Sequence, residues 1–283
     1  MKLTIDRGPD FAASPLSPNV FVLLMALMVA IFSVAAQAEP RGYFQIVYDT
    51  SKPTDPKYQT DFGYAVFIHY DGKRILMDTG TNPSIMENNL RVAGIDPATL
   101  DMVVMTHNHH DHAGGLKRIR ELNPRVPVLI PPGQDFGISS VNVVDEHVHV
   151  TPNIFIIRGH TDVPTAGIYD DLSVVLRSAS GPYVLSSCSH SGVDHILDRA
   201  SQVAGEGIYY FSGGSRLIHR PEGDAEKVAK VLAERNVQVV SPSHCNLSHR
   251  VDGVFRKQLG ARVAGSQLGR KIEVSVSQSK PEK

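Results

Sequence analysis

His107-Asn108-His109-His110-Asp111-His112 follows the apolar segment Met102 to Met105, with Thr106 between them. This run is the most informative stretch of the chain. Three of the histidines and the aspartate have the spacing His-x-His-x-Asp-His. Imidazole binds zinc, iron and manganese, and a carboxylate can bind a metal or accept a proton. A polar surface loop rich in histidine is the plain alternative. The density of ligand side chains favours one half of a two-metal site.

Two further histidines each follow a segment with strand character. Tyr183 to Ser187 leads into Cys188-Ser189-His190, and Val237 to Val240 leads into Ser241-Pro242-Ser243-His244. Ligands at the ends of successive strands converge on one rim of a sheet. We therefore expect His190 and His244 to lie beside the histidine run.

Together these motifs resemble the metallo-beta-lactamase superfamily over residues 43 to 276. The resemblance is carried by Ile75 to Gly80, Thr106 to Gly115, His190 and His244. It implies an α/β fold, a four-layer αβ/βα sandwich of two mixed β-sheets with helices outside and metals at one edge. It also implies two ligand sets: His107, His109 and His190 for a first metal, and Asp111, His112 and His244 for a second. Asp78 would orient the loop by hydrogen bonds to the ligands.

Finer features resemble the branch typified by the methanopterin-pathway ribofuranosylaminobenzene phosphate synthase. They are Phe62 to Ala65, Asn88-Asn89, Ser187 to Gly192 and Pro242 to Cys245. Many exported or uncharacterised hydrolases share that branch, so membership is a weaker guide to the reaction than to the fold.

One segment departs from the superfamily pattern. Most members supply a bridging aspartate between the third and fourth histidine positions, whereas Phe211 to Leu217 contains no carboxylate. Without that aspartate, two alternatives are open for the second metal. It is bridged to the first only by hydroxide, or it is held with help from Cys188.

The resemblance favours a hydrolase in which a hydroxide activated by two metals attacks an ester, lactone, amide or phosphoester of a small molecule. Asp111 holds the proton of this hydroxide or binds the second metal. Arg216 and His160 are candidate substrate-binding residues, although a surface salt bridge explains Arg216 equally well. We expect about two zinc ions per chain, with manganese and iron left open.

Two other functions compete with hydrolysis. A transferase like the methanopterin-branch synthase would use the same scaffold, although export argues against its intracellular substrates. An exported metal-binding protein without catalysis is the third hypothesis, supported only by the missing bridging carboxylate.

The first 38 residues predict export. Lys2 and Arg7 precede the uncharged apolar run Val20 to Ala36, and Ala36-Gln37-Ala38 has the small-x-small pattern of a signal cleavage site. An uncleaved membrane anchor is the alternative. Cleavage would leave a periplasmic or secreted protein without stable membrane association. The two cysteines, Cys188 and Cys245, then form a disulfide, stay free, or bind zinc as thiolates.

The 283 residues, of which 42% are hydrophobic, predict one domain over residues 39–276 and a disordered polar tail over 277–283. The net charge of −1 predicts nothing about nucleic acid, and without a Lys/Arg stripe with interleaved aromatics a polyanion-binding surface is not supported. The oligomeric state stays open.

Local patterns predict a hairpin around Asp71-Gly72 and a sequence of strands and helices. The remaining predicted strands are 43–49, 101–106, 154–158, 173–178, 183–187, 207–211, 237–241 and 271–276. The predicted helices are 83–93, 113–122 and 224–235. Tyr169 to Asp171 is expected to be a turn.

Overall fold

The computed structural model describes residues 41–205 and 207–275. The signal peptide predicted at residues 1–38 and the disordered tail predicted at 277–283 lie outside these residues, so both stay predictions. Within the described ranges no helix combines the length and the apolar character needed to cross a membrane.

Two mixed β-sheets form the centre of the described chain. Their strands in chain order are β1 (Arg41–Tyr48), β2 (Ala65–Tyr70), β3 (Lys73–Met77), β4 (Met102–Val104), β5 (Val128–Ile130), β6 (Asn142–Val143), β7 (His147–Thr151), β8 (Ile154–Thr165), β9 (Ile168–Leu176), β10 (Tyr183–Leu185), β11 (Tyr210–Gly213), β12 (Val239–Pro242) and β13 (Lys271–Ser275). The first sheet has the order β13-β1-β2-β3-β4-β5-β6, and the second has the order β12-β11-β10-β9-β8-β7. Strands β3 to β6 are parallel, as are β10 to β12, and the other neighbours are antiparallel.

Helices cover the outer face of each sheet. In the described residues they are α1 (Pro83–Val92), α2 (His110–Ala113), α3 (Leu116–Leu122), α4 (Val193–Ala204), α5 (Glu222–Glu234) and α6 (His249–Leu259). Single 3-10 turns lie at Pro97–Thr99, His244–Asn246 and Gly260–Arg262. Helix α1 begins after Asn82, whose side chain accepts hydrogen bonds from the next free backbone N–H groups and so stabilises the helix start.

The alternation of apolar side chains along the strands explains the layers. In β2, Val66 packs against the second sheet in a cluster with Ile156, whereas the next residue, Phe67, packs outward with Leu90 of α1. Helices α4, α5 and α6 cover the outer face of the second sheet in the same way. Because successive strand side chains point to opposite faces, apolar residues at both positions require cover on both faces. The result is the predicted four-layer αβ/βα sandwich.

One predicted helix starts too late. The prediction places it over 113–122, but the turn α2 already begins at His110, inside the histidine run. Gly114 and Gly115 separate α2 from α3 and pack against the loop after β3, where a Cβ at Gly114 would collide with the carbonyl oxygen of Thr81. The histidine run is therefore itself partly helical.

The turn predicted at Tyr169–Asp171 is wrong. These residues lie in β9, and Asp170 is the register partner of His160 across the β8–β9 hairpin. The Asp170 carboxylate accepts hydrogen bonds from Arg158 and His160, both at 2.7 Å, so its charge is compensated within the strand pair. The hairpin around Asp71-Gly72 is confirmed, since β2 and β3 pair there.

Candidate metal centre

The six residues predicted as metal ligands lie together at one edge of the sandwich, where β4, β10 and β12 end. We call His107, His109 and His190 the first group, and Asp111, His112 and His244 the second group. The rings of His107 and His112, one from each group, have centroids 4.2 Å apart. The structure therefore brings together the residues that the sequence motifs selected, and their role as ligands stays a prediction.

In the first group, the ring nitrogens face one another. His107 Nε2 lies 3.1 Å from His109 Nδ1, while the other nitrogen of His109 lies 3.1 Å from the carbonyl oxygen of Ala166. His190 Nδ1 lies 3.1 Å from the carbonyl oxygen of Thr165. His190 Nε2 is buried and has no hydrogen-bond partner among the described residues. A buried imidazole nitrogen without a hydrogen-bond partner is suited to binding a metal ion.

The second group is more compact. His112 Nε2 lies 3.1 Å from His244 Nε2, and Asp111 Oδ2 lies 3.4 Å and 3.1 Å from these two nitrogens. Two N or O ligands of one tetrahedral zinc ion lie about 3.3–3.6 Å apart, given bond lengths of about 2.0–2.2 Å. The donor set therefore fits a single divalent ion.

A buried hydrogen-bond network around Asp78 fixes the ring nitrogens that face the site. The Asp78 carboxylate accepts from His112 Nδ1, from the backbone N–H of Thr106 and from the hydroxyl of Thr106, each at 2.8 Å. That hydroxyl also lies 3.0 Å from His107 Nδ1, which donates to it. Both rings thus hold a proton on Nδ1 and turn Nε2 toward the site. Asp78 has the orienting contacts that the sequence predicts.

The two groups differ in charge. Burial holds the pKa of His107 well below its usual value, and the neighbouring His112 lowers it further. Burial alone would also lower the pKa of His112, but the carboxylates of Asp78 and Asp111 raise it to about 10. The pKa of Asp111 is lowered, because its hydrogen bonds to His112 and His244 outweigh burial. Without metal, His112 therefore carries a proton between the carboxylates of Asp78 and Asp111, an arrangement that also favours a bound cation.

Strained backbone conformations concentrate around the two groups. Asp78, Ser189, Arg216 and His244 all have positive φ angles, between 50° and 60°. Non-glycine residues in this region cost about 1–3 kcal/mol each and persist only where surrounding structure enforces them. This clustering is typical of a functional site and supports the assignment of this edge as the candidate centre.

The two predicted substrate-binding residues take different positions. Arg216 follows β11, its Nε is buried without a partner among the described residues, and its charge together with burial lowers the pKa of His190 to about 3. His160 belongs to neither group. It is half exposed, is hydrogen-bonded to Asp170, and lines a cavity of about 490 Å³ with Arg199 and His195.

The cysteines lie directly beside the second group. Cys188 and Cys245 are buried free thiols whose Sγ atoms are 3.5 Å apart, so the disulfide alternative is not formed here. Cys188 Sγ lies 3.3 Å from His112 Nε2. The third alternative, a thiolate ligand, therefore agrees with the placement of Cys188.

Sequence reasoning missed the residues that support the ligands. Thr106 and Ser187 connect β4 to β10 through a 2.6 Å hydrogen bond between their hydroxyls. Asp49, at the end of β1, accepts from the backbone N–H of His244 at 3.2 Å, and burial raises its pKa to about 6. Single serine, threonine or aspartate residues after strands carry no signal of such a role.

Comparison with known proteins agrees with this geometry. The family model of the metallo-beta-lactamase superfamily matches residues 58–177, which include the histidine run. The 7,8-dihydropterin-6-methyl-4-(beta-D-ribofuranosyl)-aminobenzene-5'-phosphate synthase of Methanocaldococcus jannaschii is 24% identical over 235 residues, covering 66% of this chain and 79% of the relative.

Solved structures share the whole architecture. A metal-dependent hydrolase of the beta-lactamase superfamily superposes with a TM-score of 0.68 at 23% sequence identity, covering 83% of this chain and 99% of that chain. A diphosphatase from the PhnP family superposes with a TM-score of 0.54 at 18% identity, covering 83% and 100%. The protein is therefore a metallo-beta-lactamase-fold protein, as its motifs predicted. Its branch resemblance to the synthase is confirmed at the level of this distant relative.

Proposed function

We propose that this protein is a metal-dependent hydrolase that cleaves an ester, lactone, amide or phosphoester bond in a small molecule. The observation that carries the proposal is the pairing of two ligand groups whose rings approach to 4.2 Å. A single structural metal would need only one such group, whereas two adjacent groups suit a two-metal hydrolytic site.

Two zinc ions bound here would lower the pKa of a shared water toward neutrality and so supply a hydroxide nucleophile. Asp111 contributes an ionised carboxylate, which binds the second ion through Oδ2 or accepts the proton of the nucleophile. His107 and His112 present their Nε2 lone pairs because Thr106 and Asp78 accept the Nδ1 protons. Zinc is the expected metal because imidazole suits it, and manganese and iron are the alternatives that metal analysis tests.

The surroundings of the ligands suit a substrate with apolar and anionic parts. The ring of Phe62 is 44% exposed and lies 4.9 Å from the ring of His244, so an apolar surface borders the second group. Arg216 places a cation near the first group, where it would bind an anionic substrate group or stabilise developing negative charge. One relative in fold is a diphosphatase, which is consistent with hydrolysis at phosphorus.

The test combines metal analysis with a panel of chromogenic esters, lactones and phosphoesters. We expect about two zinc ions per chain and turnover on at least one substrate, with both reduced by His109→Ala. His147→Ala is the matched control, because His147 is exposed on β7 and outside both groups. Two bound metals without turnover on a broad panel would overturn the hydrolase and favour the metal-binding protein.

A synthase is the second candidate, and the relative from Methanocaldococcus jannaschii favours it. The synthase hypothesis predicts that the protein hydrolyses no substrate of the panel. It predicts a new product only when a dihydropterin and a ribofuranosylaminobenzene phosphate are supplied together. Mass spectrometry of the two-substrate mixture separates the functions, since hydrolysis consumes one substrate and water alone.

We also propose that the protein is exported, on the strength of the charged, apolar and small-x-small pattern of residues 1–38. The mature protein should be shorter than the full chain and should appear in the periplasmic or secreted fraction. A full-length protein in the membrane fraction would instead indicate an uncleaved anchor.

A further inference from the structure

At Gly213 and Gly214, in the segment where most of the superfamily supplies a bridging aspartate, there is no space for a side chain. A Cβ at Gly214 would collide with Cys245 Sγ and would lie 2.8 Å from the carbonyl oxygen of Ser187. A Cβ at Gly213, whose φ is 144°, would collide with the carbonyl oxygen of Ser186. The backbone of Gly213-Gly214 therefore lies against the end of β10, and no carboxylate can extend from it toward the metals.

Cys188 lies between the two groups instead. Its Sγ forms a compact donor set with ligand atoms of His107 and His190, and a second set with ligand atoms of His112 and His244. Within each set all ligand atoms lie within 4.8 Å of one another. This sulfur is the donor atom that both sets share.

The shortest of these contacts has the right length for two ligands of one ion. Cys188 Sγ lies 3.3 Å from His112 Nε2. A thiolate and an imidazole bound to the same tetrahedral zinc, with bonds of about 2.3 and 2.0–2.1 Å, are about 3.5 Å apart. Cys188 is only 4% exposed, so its sulfur faces the cluster and not solvent.

An independent observation indicates that a ligand belongs at this point. His190, which shares a donor set with Cys188, is 4% exposed, and its Nε2 has no hydrogen-bond partner among the described residues. Sulfur is a weak hydrogen-bond donor and does not compensate for such a nitrogen. An ion bound by both atoms would.

We propose that Cys188 supplies a thiolate that bridges the two metal ions, in the place that an aspartate takes elsewhere in the superfamily. This inference rests on the proposed function, because it assumes two ions. Binding of the ions would require the Cys188 thiol to lose its proton to water, and the resulting thiolate has enough lone pairs to serve as a ligand for both groups. A soft thiolate also favours zinc over manganese.

Cys245 provides a matched control. It is also buried and lies 3.5 Å from Cys188, but its Sγ accepts a hydrogen bond from the backbone N–H of Arg216 at 3.1 Å and it belongs to neither donor set. A Cys→Ser change at either position removes one buried thiol, yet only Cys188→Ser removes a shared donor.

The experiment uses the reduced full chain with its metals replaced by cobalt. We expect a sulfur-to-cobalt charge-transfer band in the near ultraviolet and, in the zinc protein, X-ray absorption from sulfur at about 2.3 Å. Both signals should persist in Cys245→Ser and disappear in Cys188→Ser. The Cys188→Ser protein should bind the ion of the second group at least about 100-fold more weakly. Loss of a residue that only hydrogen-bonds a metal ligand already lowers metal affinity about 10–100-fold.

The wild-type spectra test the proposal even if a variant fails to fold. Two bound ions and turnover without a sulfur signal would overturn the bridging thiolate and leave the hydrolase intact. A sulfur signal that survives Cys188→Ser would also overturn it. A sulfur signal that is lost only in Cys188→Ser and corresponds to about one sulfur per zinc in the two-zinc protein supports the bridge, whereas about half a sulfur per zinc would place Cys188 on one ion and overturn it. If the bridge is supported but turnover is absent on every substrate, the hydrolase alone fails.

Discussion

The two ligand groups use the same residue type in opposite electrostatic settings. His107, in the first group, has other histidines around it, and its pKa is far below the ordinary value. His112, in the second group, lies between Asp78 and Asp111, and its pKa is about 10. His107 is thus neutral and its group lies near the cation of Arg216, whereas the carboxylates around His112 attract positive charge. The second group should therefore bind its ion more tightly, even though the bridging aspartate is absent.

The groups also differ in how they are supported. His112 and His244 are buried beneath the loop after β3, and Asp78 and Asp49 hold them through hydrogen bonds. His109 is partly exposed and contacts the tip of the β8–β9 hairpin at Ala166. His112 and His244 are therefore anchored in the core, while His109 lies at the partly exposed margin of the site.

Removing Asp78 should have the largest effect. Asp78→Ala leaves three buried donors without a partner, and we expect the free energy of unfolding of the metal-free protein to fall by about 3–5 kcal/mol. Urea denaturation measures this difference. Asp162→Ala, which changes a 98% exposed carboxylate, should stay within about 0.5 kcal/mol of wild type. A fall below 1 kcal/mol for Asp78→Ala would mean that the second group does not depend on this anchor.

The order of metal binding compares the groups directly. His244→Ala should abolish the tighter of two zinc-binding steps, and His109→Ala should abolish the weaker step. Each should reduce turnover at least about 100-fold, because a metal contributes several kcal/mol to the transition state. Zinc titration by calorimetry with metal analysis measures both effects. If His109→Ala removes the tighter step, the charge argument is wrong.

The sequence predicted that the six candidate ligands lie together better than it predicted the residues that support them. The spacing from His107 to His112 and the histidines after β10 and β12 carried the resemblance, and the resemblance implied all six positions. Thr106 and Asp49 support the candidate ligands through backbone contacts and through residues distant in sequence. No local sequence pattern predicts such contacts. The four layers were expected from the resemblance, and apolar side chains on both faces of the strands explain them in the structure.

The missed elements have physical reasons as well. Helix α6 begins only five residues after His244, and its start depends on the Ser248 side chain, which accepts from the N–H of Val251. The α2–α3 break results from packing of Gly114 against Thr81, which is a tertiary contact. Such contacts override local helix signals.

Adding a side chain at Gly214 should have an intermediate effect. Gly214→Ala places a methyl group against Cys245 Sγ and the Ser187 carbonyl oxygen, so we expect a loss of about 1–3 kcal/mol of stability. Gly253→Ala is the control, because Gly253 lies inside α6 with open space around it and should gain about 0.5–1 kcal/mol. Thermal denaturation compares the two. A neutral Gly214→Ala would show that this segment can move and could admit a longer side chain.

Arg216 gives the smallest and most specific effect, because its charge acts on His190 of the first group. Arg216→Ala should lower kcat/KM for an anionic phosphoester by about 10-fold, the low end for losing a hydrogen bond to a charged group, and should change turnover of a neutral ester much less. Arg199→Ala, in the separate cavity, should leave both rates unchanged. Equal losses on both substrates would instead assign Arg216 a structural role, in which its backbone bond to Cys245 positions the segment after β11. Partial rescue of the phosphoester rate by Arg216→Lys would indicate that the positive charge at this position, more than the guanidinium geometry, is what the first group gains from Arg216 and the second group lacks.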